Sequence, residues 1–189
     1  MPPRKQKKKP RLELALYSLP NHSKAYHYAL FIAPKYTKPI TLDAVQKHHI
    51  KITLQNNISG EISQPWHYEH IGIEDVQKEP RLLVRVIIGK VTVSVDEVDK
   101  ILAAMPIYQE VDVQQRVVKR FGCMTWVESA VQELGKRDAV KGLMKWEAIK
   151  GVAVDYVEMK KRIGRWDIGW QGEKRVPLMD LMSGEEVVG

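Results

Sequence analysis

Tyr26-His27-Tyr28-Ala29-Leu30-Phe31-Ile32-Ala33 is aromatic or aliphatic at nearly every position, and Pro34 closes it. A run of this length and composition reads as a buried strand. His27 interrupts it. An imidazole there must find a partner or lose its hydrogen bonds in the core, so it is either a satisfied structural histidine or a working one.

Working outward, Leu12–Ser18 alternates loosely and predicts a first strand, with Leu19–Ser23 as the turn between the two. Pro39 breaks the next segment. His49-Ile-Lys-Ile-Thr-Leu54 alternates with period two and predicts a half-buried strand; His48 would point to the face opposite His49. Asn56-Asn57 and Ser59-Gly60 mark a turn. Trp66–Ile73 and Arg81–Gly89 predict two more strands. Helices follow. Ser94-Val-Asp-Glu97 is a capping-box pattern, and Val98, Ile101, Leu102 and Met105 form one face up to Pro106. An acidic, polar connection runs from Tyr108 to Gln115. Met124, Val127, Val131 and Leu134 recur at helical steps after Cys123, with Gly135 as the stop. Val140–Lys150 and Val152–Ile163 predict two helices separated by Gly151. Strands first and helices later indicate an α+β fold, an antiparallel sheet with helices packed mainly on one face. The expected organisation is a disordered basic tail over 1–11, one α+β domain over 12–165 and a C-terminal extension over 166–189.

The chain has 189 residues and a net charge of +7, and six of those positive charges come from residues 1–12, which hold no acid. The body is therefore nearly neutral. The tail, with Lys7, Lys8, Lys9 and Arg11, is either a solvated leader or a contact for RNA phosphates. One cysteine permits no internal disulfide. No apolar run approaches the roughly 20 residues that span a bilayer, and no apolar core follows the basic start as in a signal peptide. The expected compartment is the cytoplasm, with no membrane partner.

Cys123 sits in the first predicted turn of its helix, after Gly122. Unpaired N–H groups and the positive dipole end there favour a thiolate, the nucleophilic form. A lone cysteine is also, commonly, a small core residue. A nucleophilic thiol needs a base within hydrogen-bond reach, and histidine is the usual one. His67 and His70 lie at odd spacing, hence on opposite faces of a strand, and there is no second cysteine; no metal or cofactor is expected. The five tryptophans read mainly as core or pocket walls, with Trp126, one turn after Cys123, able to roof a pocket. Lys160-Lys161-Arg162 and Arg165 form a second basic cluster, read as a solvated helix face or as a contact to a tRNA backbone.

His27 in an early strand, His49 in a following one and Cys123-Met-Thr-Trp126 at a helix start resemble the order of parts in lecithin retinol acyltransferase-like proteins. Those are permuted papain-type folds related to NlpC-type peptidases. Where they carry Asn-Cys-Glu-His, this chain has Gly122-Cys-Met-Thr125. His27-Tyr-Ala-Leu30, His49-Ile-Lys-Ile-Thr53, Pro65-Trp-His-Tyr-Glu69 and Cys123-Met-Thr-Trp-Val127 also resemble, over roughly residues 12–135, a fungal family of arginine-containing cyclodipeptide synthases. That resemblance implies an aminoacyl-tRNA-dependent synthase that makes an arginine-containing diketopiperazine through a thioester on Cys123. His27 would be the base, with His49 either orienting it or merely packing. Arginine needs a carboxylate, with Glu69 and Glu128 as candidates; Trp66, Tyr68 and Trp126 would line the substrate site. Arginyl-tRNA and a second charged tRNA would be the partners, held by the tail and the Lys160–Arg165 cluster. The alternatives are a papain-like cysteine amidase or peptidase and a non-enzymatic RNA-binding module. The dyad reading makes one structural demand: the Cys123 sulfur and the His27 imidazole must meet.

Overall fold

The computed structural model describes residues 9–20, 22–36, 44–56, 58 and 60–189; Lys7 and Lys8 of the basic leader, and Pro39, lie outside these residues. The described chain runs β1 (Arg11–Leu19), β2 (His22–Ala33), β3 (Val45–Ile52), β4 (Gln55–Asn56), β5 (Ile62–Ser63), β6 (Trp66–Ile73), a 3-10 turn (Val76–Lys78) and β7 (Leu82–Val91). Then come α1 (Val95–Ala103), α2 (Glu110–Gln114), α3 (Cys123–Lys136), β8 (Val140–Lys141), α4 (Trp146–Arg162), β9 (Leu178–Asp180) and β10 (Glu185–Val188).

The main sheet has the order β10-β9-β7-β1-β2-β3-β6, with β8 on the end of β7, while β4 and β5 form a separate hairpin. The fold is α+β, and the sheet is mostly antiparallel. β7 and β9 run parallel, so the sheet is mixed rather than purely antiparallel as expected. Successive strand residues point to opposite faces, and the core divides accordingly. Tyr26, Tyr28, Leu30 and Ile32 of β2 join Leu12, Leu14 and Leu16 of β1 in a large core with Val98 of α1, Trp126 and Val127 of α3, and Ile149 and Val157 of α4. Ala29, Phe31 and Ala33 face the other way, into a smaller core with Tyr17, Val76, Leu82 and Val176. Both faces of β1 and β2 are thus covered, which is why their sequences are apolar almost throughout.

Further expectations are corrected. The helix expected over Val140–Lys150 does not form as such: Val140 and Lys141 pair with Val91 and Lys90 of β7. The strands approach so closely there that a Cβ on Gly89 would lie 2.5 Å from Val140 Cγ1. α4 then runs unbroken through Gly151. A mid-helix glycine costs only about 1 kcal/mol, and the buried Trp146, Ile149, Ala153, Tyr156 and Val157 outweigh it. Gly135 is not the stop of α3. The helix closes at Arg137, with Asp138 in the left-handed region (φ 54°) and bonds from Asp138 N to Gly135 O and from Ala139 N to Leu134 O. That is a Schellman ending with aspartate in the usual glycine position. Nor is 166–189 an extension, because β9 and β10 complete the sheet beyond β7.

Candidate functional site

α3 is capped by Gly122, and the Gly122 N–H donates to Thr125 Oγ1 at 3.0 Å; the Thr125 hydroxyl lies 3.1 Å from Gly122 O. This fixes the first turn and sets Cys123, partly exposed, in the wall of a cavity of about 360 Å³. Tyr26, Tyr28, Trp66, Arg120 and Phe121 also line it. Trp66 is held by the Gln109 side chain, which accepts from Trp66 N at 2.8 Å and donates to Trp66 O at 3.1 Å. Phe121 meets the Trp66 ring edge-on. Burial pushes the Cys123 thiol above its ordinary pKa, and hydrogen bonds from backbone N–H groups, that of Tyr28 first, offset this only in part. The helix-start argument for a thiolate is therefore outweighed by desolvation.

Across the cavity rim, the Tyr26 hydroxyl donates to Glu158 Oε1 at 2.5 Å and accepts from Lys161 Nζ at 2.9 Å. Ala25 and Tyr26 are shared with a second cavity of about 560 Å³, lined further by His22, Arg81, Lys161, Trp166 and Asp167. The two cavities adjoin across Tyr26.

His27 is not there. Tyr26 and Tyr28 face α3 and α4, so His27, between them, faces the opposite side of the sheet beside Tyr17. The expected pairing of Cys123 with His27 is thereby corrected: the sheet lies between them. His27 instead joins His49 and Glu69 in a line. His27 Nε2 lies 2.8 Å from His49 Nδ1, His49 Nε2 lies 2.8 Å from Glu69 Oε2, and Lys51 Nζ donates to Glu69 Oε1 at 2.5 Å. The Lys51 ammonium first, and then His49, hold the Glu69 carboxyl below its usual range. An ionised Glu69 only accepts, so His49 donates through Nε2 and accepts through Nδ1. His27 then donates through Nε2 and keeps a lone pair on Nδ1. Burial, with smaller effects of His49 and Lys47, lowers His27 to about 3, so it is neutral at ordinary pH. His49 does orient His27, but on the face away from the sulfur.

A third arrangement lies on the helix side. His48 and His70 pair across β3 and β6 and stack at 4.2 Å. His48 Nδ1 lies 2.8 Å from the Tyr68 hydroxyl, and its Nε2 lies 3.3 Å from Asp99 Oδ1 on α1. Burial lowers His48 to about 3, so this contact is not an ion pair. Among the described residues, His48, His70 and Asp99 offer ligand atoms within 4.8 Å of one another.

Over residues 9–188 the chain matches a family described as a family of unknown function, DUF6914. The chain belongs to DUF6914. No curated protein and no solved structure matches it.

In this DUF6914 chain the remaining expected site residues disperse. Trp126 is core, 1 % exposed and packed on Tyr68, so it roofs nothing. Tyr68 serves His48 and is absent from the cavity wall. Glu69 belongs to the histidine line, and Glu128 accepts from Gln132 beside a different cavity. Neither carboxylate reaches the Cys123 cavity wall. The basic cluster splits as well. Lys160 is buried and paired with Glu186 at 2.6 Å, and Arg165 is buried and donates to Arg175 O. Neither can meet a nucleic-acid backbone. Lys161 stands at the cavity rim, and Arg162 is exposed. Lys9 donates to Thr92 O, and Arg11 donates to Lys9 O. Sequence reasoning passed over Tyr26, Gln109, Arg120 and Asp99. The one available signal was parity: Tyr26 and Tyr28 share a strand face that excludes His27.

Proposed function

We propose that the chain is a thiol-dependent acyltransferase in which Cys123 carries the acyl group. The observation that carries this is a partly exposed sulfur in a cavity that adjoins a second one across Tyr26. A transferase needs two neighbouring substrate positions, one at the sulfur and one for the acceptor; a hydrolase needs only the first. A peptidase also needs a proton donor for its amine leaving group, normally an imidazolium. Among the described residues no histidine lines the Cys123 cavity. An activated ester demands less, since its leaving oxygen takes the proton that the thiol gives up.

With the resemblance noted above, the donor we propose is arginyl-tRNA and the product an arginine-containing diketopiperazine, made in the cytoplasm. Cys123 attacks the ester carbonyl; the carbon–oxygen bond to the ribose breaks, the thioester forms, and the ribose oxygen takes the thiol proton. The amine of a second aminoacyl-tRNA attacks the thioester, forming an amide and returning a proton to sulfur. The free amine of the dipeptidyl ester then closes the ring and releases the second tRNA. Glu158, which accepts from the Tyr26 hydroxyl between the two cavities, and Asp167, in the wall of the second, replace Glu69 and Glu128 as partners for the guanidinium. Of the permuted papain-like arrangement, this reading keeps the cysteine helix laid on the sheet and gives up the Cys123–His27 dyad.

Incubation with arginyl-tRNA and a mixture of charged tRNAs should leave an arginyl group on Cys123, visible by intact-protein mass spectrometry, and release a cyclic dipeptide. Cys123→Ala should abolish both. Full turnover by Cys123→Ala would overturn the proposal. The raised thiol pKa and the missing dyad favour a second reading, a non-enzymatic RNA-binding module. Its signature is RNA binding unchanged in Cys123→Ala, with no product from any charged tRNA.

A further inference from the structure

β3, β6 and α1 bring together three groups that the thiol chemistry does not use. His48 and His70 are register partners, so their rings stack on one face, and Asp99 reaches them from the middle of α1. His70 Nε2 is 4.0 Å from the same Asp99 oxygen that His48 Nε2 approaches to 3.3 Å. The His48 side chain is 0 % exposed, and both its Nε2 and Asp99 Oδ1 are buried without a hydrogen-bond partner. Leaving such atoms unpaired costs roughly 1–3 kcal/mol each. When His48 Nδ1–H donates to Tyr68, Nε2 turns a lone pair toward a carboxylate oxygen. In that tautomer two lone pairs face each other at 3.3 Å, an arrangement that a bound cation relieves. Ligand bonds of about 2.0–2.1 Å in a tetrahedron give an edge of roughly 3.4 Å, close to the His48–Asp99 separation.

We propose that His48, His70 and Asp99 bind one first-row divalent transition metal, with Tyr68 as the positioning residue for His48. Two imidazoles and a single carboxylate suit zinc and its neighbours, whereas calcium and magnesium require oxygen ligands. His70 is the adjustable ligand. Its side chain is 32 % exposed, and its Nε2 lies 3.0 Å from Gln46 Oε1. It releases Gln46 and closes on Asp99 by about half an ångström to reach a tetrahedral edge. Asp99 is also partly exposed, so the ion has an entry path and a fourth position for water. Asp96 on the first turn of α1 adds negative charge near Asp99. Bound metal would pin α1 to the sheet edge. The proposal is independent of any reaction at Cys123.

The test uses the full chain, stripped of metal and titrated with zinc alone. Calorimetry should show one site, zinc should raise the Tm, and cobalt in its place should give the intense visible bands of a tetrahedral nitrogen–oxygen site. His70→Ala and Asp99→Asn should each weaken zinc binding by at least about 10-fold and cancel the Tm shift, and Tyr68→Phe should weaken it by about 10-fold while leaving one site. His67→Ala, on the opposite strand face, should bind as the unaltered chain does. Circular dichroism of each metal-free variant separates lost binding from lost folding, and Tyr68→Phe, which deletes one hydroxyl, serves if the other two unfold. No zinc heat and no cobalt bands in the unaltered chain would overturn the proposal, as would unaltered affinity in folded His70→Ala.

Discussion

At Cys123, burial and hydrogen bonding pull the thiol in opposite directions, and burial prevails. Only the thiolate is alkylated, so the sign of the pH dependence follows. Iodoacetamide should modify Cys123 more slowly than a free thiol at neutral pH, with a rate that keeps rising beyond the pH at which a free thiol has levelled off. A rate profile matching that of free cysteine would show the sulfur to be better solvated than its cavity suggests. A large residue-scale effect on stability lies elsewhere. Glu13 and Arg85 are 0 % and 1 % exposed and are joined by bonds at 2.8 and 3.3 Å. Removing one partner strands a buried charge, so Glu13→Ala should cost roughly 3–5 kcal/mol in chemical denaturation. A cost below about 1 kcal/mol, the range of an exposed pair, would show that water reaches the site.

Two glycines on neighbouring elements predict opposite signs. Gly151 lies mid-helix in α4, and a Cβ there meets nothing within 4 Å. Gly151→Ala should raise stability by about 0.5–1 kcal/mol through lower backbone entropy in the unfolded chain and better helix propensity. Gly89 is where β7 meets β8, and its Cβ would strike Val140 at 2.5 Å and the Lys141 carbonyl at 3.1 Å. Gly89→Ala should therefore destabilise by roughly 1–3 kcal/mol, as overpacking does. Thermal melts of the two variants check both signs together. The same contrast explains the misread helix over 140–150. Val140 is apolar for the sake of its strand partner Val91, far back in the chain, and local periodicity cannot carry that information.

For the molecule as a whole, the last residues are structural. β9 pairs with β7 alongside Arg85, Val86 and Ile87, and Glu186 receives Lys160 and the Tyr156 hydroxyl from α4. A chain ending before Leu178 would expose the edge of β7 and leave Lys160 buried without its carboxylate. It should lose cooperative unfolding, or fail to accumulate as folded protein. A sharp melt with native-like near-ultraviolet dichroism would show that the sheet stands without them. Among the described residues no helix is long and apolar enough to cross a membrane.

β2, β6, the capped start of α1 and the start of α3 were legible because their signals are local: strand composition, the Ser94 side chain accepting from Glu97 N, and helical spacing after Cys123. So was the opposition of His48 to His49, since parity within a strand is fixed by covalent geometry. Which face of β2 would receive α3 was not local. It depends on chain packing from residues a hundred positions away, and it separated Cys123 from His27 while joining His27 to His49 and Glu69. Alternation alone settled that residues 27 and 28 diverge; only the docking of the helices on the Tyr28 side decided which of them the sulfur would meet.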